Sequence, residues 1–148
     1  MQQDLKKDVW ISVSGVQSDG TERAEPVTFE TRGSLYRKGG QYFLRYDESE
    51  VTGLAGTSTT IKADGDCVSV IRTGKNPSDM HFAVGEKRMA FYDTDYGEIT
   101  MVVNTKKIEN GLSENGGIID VLYELEIENT PAFLNRIRVK VEEKRARS

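Results

Sequence analysis

Cysteine and histidine occur once each in this chain, at Cys67 and His81, and proline only three times. A lone cysteine forms no internal disulfide, and no C-x-x-C pair is present for zinc or redox work. One histidine cannot supply a two-histidine metal site. No stretch approaches the roughly 20 apolar residues that a membrane-crossing helix requires. The opening residues, MQQDLKKDVW, carry charges rather than the apolar run of a signal peptide. A cytoplasmic protein is therefore expected, with no membrane partner. Positive charge is not in excess either: 20 Lys and Arg face 24 Asp and Glu, a formal net charge of -4. That balance argues against a general nucleic-acid binder, whose affinity rests on a positive field.

What the chain does have is β-branched side chains. Val, Ile and Thr number 34 against 15 for Ala and Leu, with 14 glycines spread along the 148 residues. Branched side chains lose freedom in helices and fit the pleated surface of strands. Ten short alternating segments follow, near 8–17, 26–36, 41–47, 57–62, 67–72, 79–84, 88–94, 98–106, 117–128 and 135–143. Turns such as Arg37-Lys38-Gly39-Gly40 and Ala63-Asp64-Gly65-Asp66 are short enough to join antiparallel neighbours. No segment of ten or more residues has a convincing helical period, and any helix is expected to be short. The expectation is one all-β domain over 1–148, with residues 1–7 and 144–148 as frayed tails.

Two passages define the inner face. In IIDVLYELEIEN, Ile119, Val121, Tyr123, Leu125 and Ile127 alternate with Glu124, Glu126 and Glu128. In NRIRVKVEE, Ile137, Val139 and Val141 alternate with Arg136, Arg138 and Lys140. Joined by the loop Asn129 to Phe133, the two strands can set Glu128 opposite Arg136, Glu126 opposite Arg138 and Glu124 opposite Lys140. In the middle of the chain, Thr57, Thr59, Ile61, Val68, Val70 and Arg72 share one face. That face continues through Met80, Phe82 and Val84, then Met89, Phe91 and Asp93, then Ile99, Met101 and Val103. A meander with one apolar face removes its open edges by curling closed, which predicts a single antiparallel up-and-down barrel of about 8–10 strands.

The strings QYFLRYDES, GTSTTIKADGDCVSVIRTG, MHFAVGEKRMAFYDTDYGEITMVVNT, GGIIDVLYEL and NRIRVKV resemble the YwiB-like family of small bacterial proteins, from about Trp10 to Glu143. The run from TTIK to IRTG, with Tyr92, Thr94, Tyr96 and Gly97, is its most specific part. The resemblance implies a calycin-like, lipocalin-type barrel. Because the biochemical role of that family is uncharacterised, it transfers no catalytic residue.

The residues themselves offer few sites. Asp93 and Asp95 fail as a calcium loop, since the fifth and twelfth positions are Gly97 and Asn104 and the flanks are strand-like. Asp95-Tyr96-Gly97 reads better as a corner between strands, buttressed outside by Tyr92, Thr94 and Tyr96. Arg72 is the sharper candidate. An inward guanidinium must find an acceptor, and Asp93 has the same inward position near one barrel end. Arg72 either forms a rim ion pair or extends into water, or it anchors the head group of an anionic ligand whose tail lies among Phe82, Phe91 and Met101. Tyr46 and Tyr123 are either ordinary core or inner phenols for that ligand. Tyr42 and Leu44 continue the Tyr46 side of that wall.

Catalytic signals are absent. His81 points outward, and no G-x-S-x-G elbow exists. Cys67 beside Asp66 is a poor thiolate. Gly74-Lys75 lacks the rest of a phosphate loop. No enzyme activity, metal or cofactor is expected.

Two readings stay open: a non-enzymatic barrel binding a small, partly apolar, anionic ligand, or a filled barrel acting through its outer surface or as a homodimer. Nucleic-acid contact through Arg136, Arg138, Lys140, Lys144, Arg145 and Arg147 is a weaker third. Monomer and homodimer both fit.

Overall fold

The computed structural model describes residues 5–18, 27–49, 55–75, 77–94, 96–128 and 133–143, with backbone alone for Leu5, Ser18 and residues 92–94. All ten expected segments are strands: β1 (Leu5–Ser18), β2 (Val27–Lys38), β3 (Gln41–Asp47), β4 (Thr57–Asp64), β5 (Cys67–Gly74), β6 (Ser78–Ala83), β7 (Lys87–Thr94), β8 (Gly97–Asn110), β9 (Gly116–Ile127) and β10 (Phe133–Glu143). Each pairs antiparallel with its neighbour in the chain, and β1 pairs with β10 to close the barrel. Closure leaves no sheet edge to be shielded. Among the described residues no helix is long and apolar enough to cross a membrane.

The core is the inward half of each alternation. Val9 and Ile11, Leu35, Leu44, Ile61, Val68 and Val70, Phe82, Val103, Ile119 and Val121, Val139 and Val141 are all buried. One end of the barrel is closed by the connections 39–40, 65–66, 84–86 and 111–115. There Gly65 takes a positive φ of 57° to turn β4 into β5, and Leu112 is buried from the longest of these loops. At the opposite end, the mouth, β3 runs out into the connection to β4, and β5 into that to β6.

Three expectations change. Residues 5–7 are not a frayed tail: Leu5 stands opposite Arg37, and Lys7 Nζ meets Glu143 Oε1 at 2.6 Å. Residues 1–4 and 144–148, including Lys144, Arg145 and Arg147, lie outside the described residues, as do Asp95 and the loop 129–132.

The register of the last hairpin also differs. Arg136 stands opposite Leu122 rather than Glu128, Arg138 opposite Asp120, and Lys140 opposite Ile118. The shift is even, so both faces stay as expected. Its cause is the stagger that barrel closure imposes: Glu126 and Ile127 pair with Val102 and Met101 of β8, beyond the reach of β10. The outer charges find other partners. Arg136 grips the Asp120 carboxylate with two nitrogens, at 2.9 and 2.6 Å, and holds it below the usual carboxylate range. Lys140 meets Glu142 at 2.9 Å.

Third, β7 has the opposite phase. Ser78 stands opposite Tyr92 and Asp79 opposite Phe91, so the inward phase of β6 passes to Ala90 on β7 rather than to Phe91. Ala90 is 3% exposed, whereas Phe91 is 48% exposed and Met89 and Val84 are also on the outside. Asp93 occupies the same outward register position as Phe91, opposite Glu98; its side chain lies outside the described residues. The side chains of Tyr92 and Thr94, expected to buttress the corner from outside, lie outside the described residues, while Tyr96 is fully exposed and Gly97, at φ 117°, makes the corner.

Candidate functional site

Four consecutive ladder partners, Tyr46, Thr59, Arg72 and Ser78, cross β3 to β6 near the mouth, all facing inward. The alternation of β3 (Tyr42, Leu44, Tyr46) carries one step past the strand to Glu48, whose backbone N–H donates to Thr57 O at 2.8 Å. Glu48 is thereby turned into the barrel. Thr59 Oγ1 donates to Glu48 Oε1 at 2.6 Å, and Arg72 Nε lies 3.8 Å from the same oxygen. That distance is an ion pair and too long for a hydrogen bond. The Glu48 side chain is 1% exposed and that of Arg72 24%.

Glu48 is thus an acid partner of Arg72 that was not expected, while the side chain of the expected partner, Asp93, lies outside the described residues. The expected segment 41–47 coincides with β3, and Glu48 was missed because it lies one residue beyond it. The signal was present, since a glutamate in phase with Tyr42, Leu44 and Tyr46 is an inward carboxylate that requires a cation.

Of the other nominated residues, Tyr46, Tyr123, Phe82 and Met101 are buried inside with Arg72. Phe82 and Tyr123 pack their rings 4.8 Å apart, tilted by 53°, and Phe29 meets Tyr46 at 6.1 Å. Phe91 is not in the interior. It lines, with Ile71, Arg72, Pro77, Ser78, Asp79 and Glu98, an open depression of about 320 Å³. Two polar atoms at the inner edge, Arg72 Nε and Ser78 Oγ, are buried without a hydrogen-bond partner among the described residues. Among the described residues no group of three or more His, Cys, Asp or Glu could hold a metal.

Burial pushes the Tyr46 hydroxyl well above its ordinary pKa, and the Glu48 charge adds to the effect. Burial pushes Tyr123 up to about 12, against the opposing charge of Arg72. Both phenols therefore keep their protons in the folded chain at pH values where the unfolded chain, at an ordinary 10.0, loses them. Stability is expected to fall above about pH 10, by up to about 1.4 kcal/mol per pH unit for each tyrosine. Urea unfolding between pH 8 and 11 checks this. Tyr123→Phe should flatten the slope, and an unchanged slope would mean that Tyr123 ionises freely in the fold.

A closed ten-stranded meander with a polar group set into its mouth places the protein among small antiparallel β-barrel proteins. More particularly, the chain belongs to the family described as domain of unknown function DUF1934, which matches residues 11–139. A Bacillus subtilis (strain 168) protein described as "Uncharacterized beta-barrel protein YwiB" is 27% identical over 129 residues, spanning 87% of this chain and 88% of its own. The crystal structure of the YwiB protein from Bacillus subtilis superposes with a TM-score of 0.83 at 25% identity, covering 95% of this chain and 94% of that one. The resemblance read from the sequence is borne out.

Proposed function

We propose that the protein binds a small, partly apolar molecule at the mouth of the barrel, in the depression between Arg72 and Phe91. The observation that carries this reading is the unspent hydrogen-bonding capacity of Arg72 Nε and Ser78 Oγ beside an apolar wall of Ile71, Pro77 and Phe91. Sites for small molecules combine largely apolar linings with a few placed polar groups. The electrostatics refine the ligand class. Glu48 already balances Arg72, and Asp79 and Glu98 add negative charge at the rim. A full anion would be repelled, so the ligand presents a neutral acceptor to Arg72 and lays its apolar part on Phe91.

Native mass spectrometry of protein purified from its own cells tests this. A small-molecule adduct is expected on the wild type and is lost in Phe91→Ser and Ser78→Ala. Absence of any adduct, or its persistence in both variants, overturns the reading.

The exposed Val84, Met89 and Phe91 favour a second reading, in which this outer face meets a protein partner or a second copy. The subunit count from the same spectra separates the two.

A further inference from the structure

On the outer face, the ladders bring Tyr36, Phe43, Lys62, Ser69 and His81 into one row across five strands, each the direct partner of the next. Ser69 Oγ lies 2.8 Å from His81 Nδ1. His81 Nε2 lies 2.7 Å from Asp79 Oδ1. A carboxylate only accepts, so the neutral imidazole carries its proton on Nε2 and donates it to Asp79. Nδ1 is left as an acceptor, and the Ser69 hydroxyl is its donor. Nucleophile, base and orienting acid stand in hydrogen-bonded order, with the two ring nitrogens exchanged relative to the usual serine triad.

We propose that Ser69 is an acyl-accepting nucleophile, activated by His81 and Asp79, which hydrolyses small uncharged esters on the outer wall of the barrel. Lys62 completes the arrangement. It sits directly opposite Ser69 on the same face, about 5 Å away at Cβ, and among the described residues no acid engages its ammonium. From that cross-strand position its ammonium supplies the positive charge that the mechanism needs beside a carbonyl oxygen attacked by Ser69. Beyond Lys62, Tyr36 and Phe43 stack at 4.9 Å, with planes 4° apart, and offer an apolar platform for the acyl group.

In the reaction, Ser69 Oγ bonds to the carbonyl carbon and its proton passes to His81 Nδ1. The bond to the leaving oxygen then breaks, and that oxygen takes the proton from Nδ1. Water repeats the sequence on the Ser69 ester and releases the acid. No oxidant or cofactor enters. The lone, outward His81 that made a metal site untenable is the base here. The Ser69 cluster is separate from the mouth depression, with only Asp79 lining both.

The test uses p-nitrophenyl acetate and a fluorophosphonate probe, with the adduct located by peptide mass spectrometry. The wild type should hydrolyse the ester and carry the phosphonyl group on Ser69. Ser69→Ala and His81→Gln should each lose hydrolysis by about 100-fold or more, and Lys62→Met by a similar factor of about 100. An imidazole alone also attacks activated esters, so a rate kept in Ser69→Ala but lost in His81→Gln overturns the proposal. So does an adduct elsewhere, or none. If Ser69→Ala fails to fold, the adduct position on the wild type decides.

Discussion

Phe82→Ala is expected to destabilise the protein by about 3–5 kcal/mol, as full truncation of a buried aromatic does. Phe82 is 1% exposed, the largest of the fully buried side chains, and its ring is held against Tyr123. Removing it withdraws the transfer energy of the ring and leaves a cavity that a closed barrel cannot collapse, because each strand is fixed on both sides. Against a typical total of about 5–15 kcal/mol, that is a large part of the stability. The informative comparison is Phe91→Ala. Both phenylalanines have the inward position in the sequence pattern, but Phe91 stands on the outer wall, so its truncation should cost less than about 1 kcal/mol. Urea denaturation of the two variants at neutral pH reads the difference directly. Equal costs would mean that β7 is turned the other way round.

The contrast also marks where sequence pattern runs out. Strand number and closure were legible because alternation and turn residues agree along the chain. The phase of β7 was not, since Met89 and Phe91 are the most apolar alternate set in that strand while the interior takes the small Ala90. Only the ladder with β6 decides between them. The hairpin register was ambiguous for a related reason: glutamates on β9 and basic residues on β10 can be opposed in several even registers, and the stagger of the barrel selects one. In β8 the alternation breaks where a bulge between Thr105 and Lys107 inserts a residue. At the candidate site, Arg72, Tyr46 and Tyr123 could be placed from periodicity, but Glu48 lay one residue past the apparent strand. The Ser69–His81–Asp79 cluster had no recognised sequence signature, because Ser69 meets His81 only once β5 and β6 have been set in register.

The pair at the mouth should respond asymmetrically to substitution. Arg72→Met leaves the Glu48 carboxylate enclosed, still accepting from Thr59 but without the Arg72 charge beside it. Breaking a fully buried pair costs about 3–5 kcal/mol; the 3.8 Å separation and the partial exposure of Arg72 reduce the expectation to about 2 kcal/mol. Glu48→Gln removes the anion and keeps a side chain that can accept from Thr59. The guanidinium it abandons can lean toward solvent, so about 1 kcal/mol or less is expected. Combining Arg72→Met with Glu48→Gln eliminates both charges, and the double variant should be more stable than Arg72→Met alone. That recovery separates a buried charge seeking its counterion from two independent packing losses. Denaturation of the three variants measures it. Simple additivity, or a Glu48→Gln cost equal to that of Arg72→Met, would show that Arg72 does not compensate Glu48, and Arg72 would then carry an unbalanced positive charge into the mouth. In that event the ligand class reverts to an anion, so the stability cycle also determines what the depression can bind.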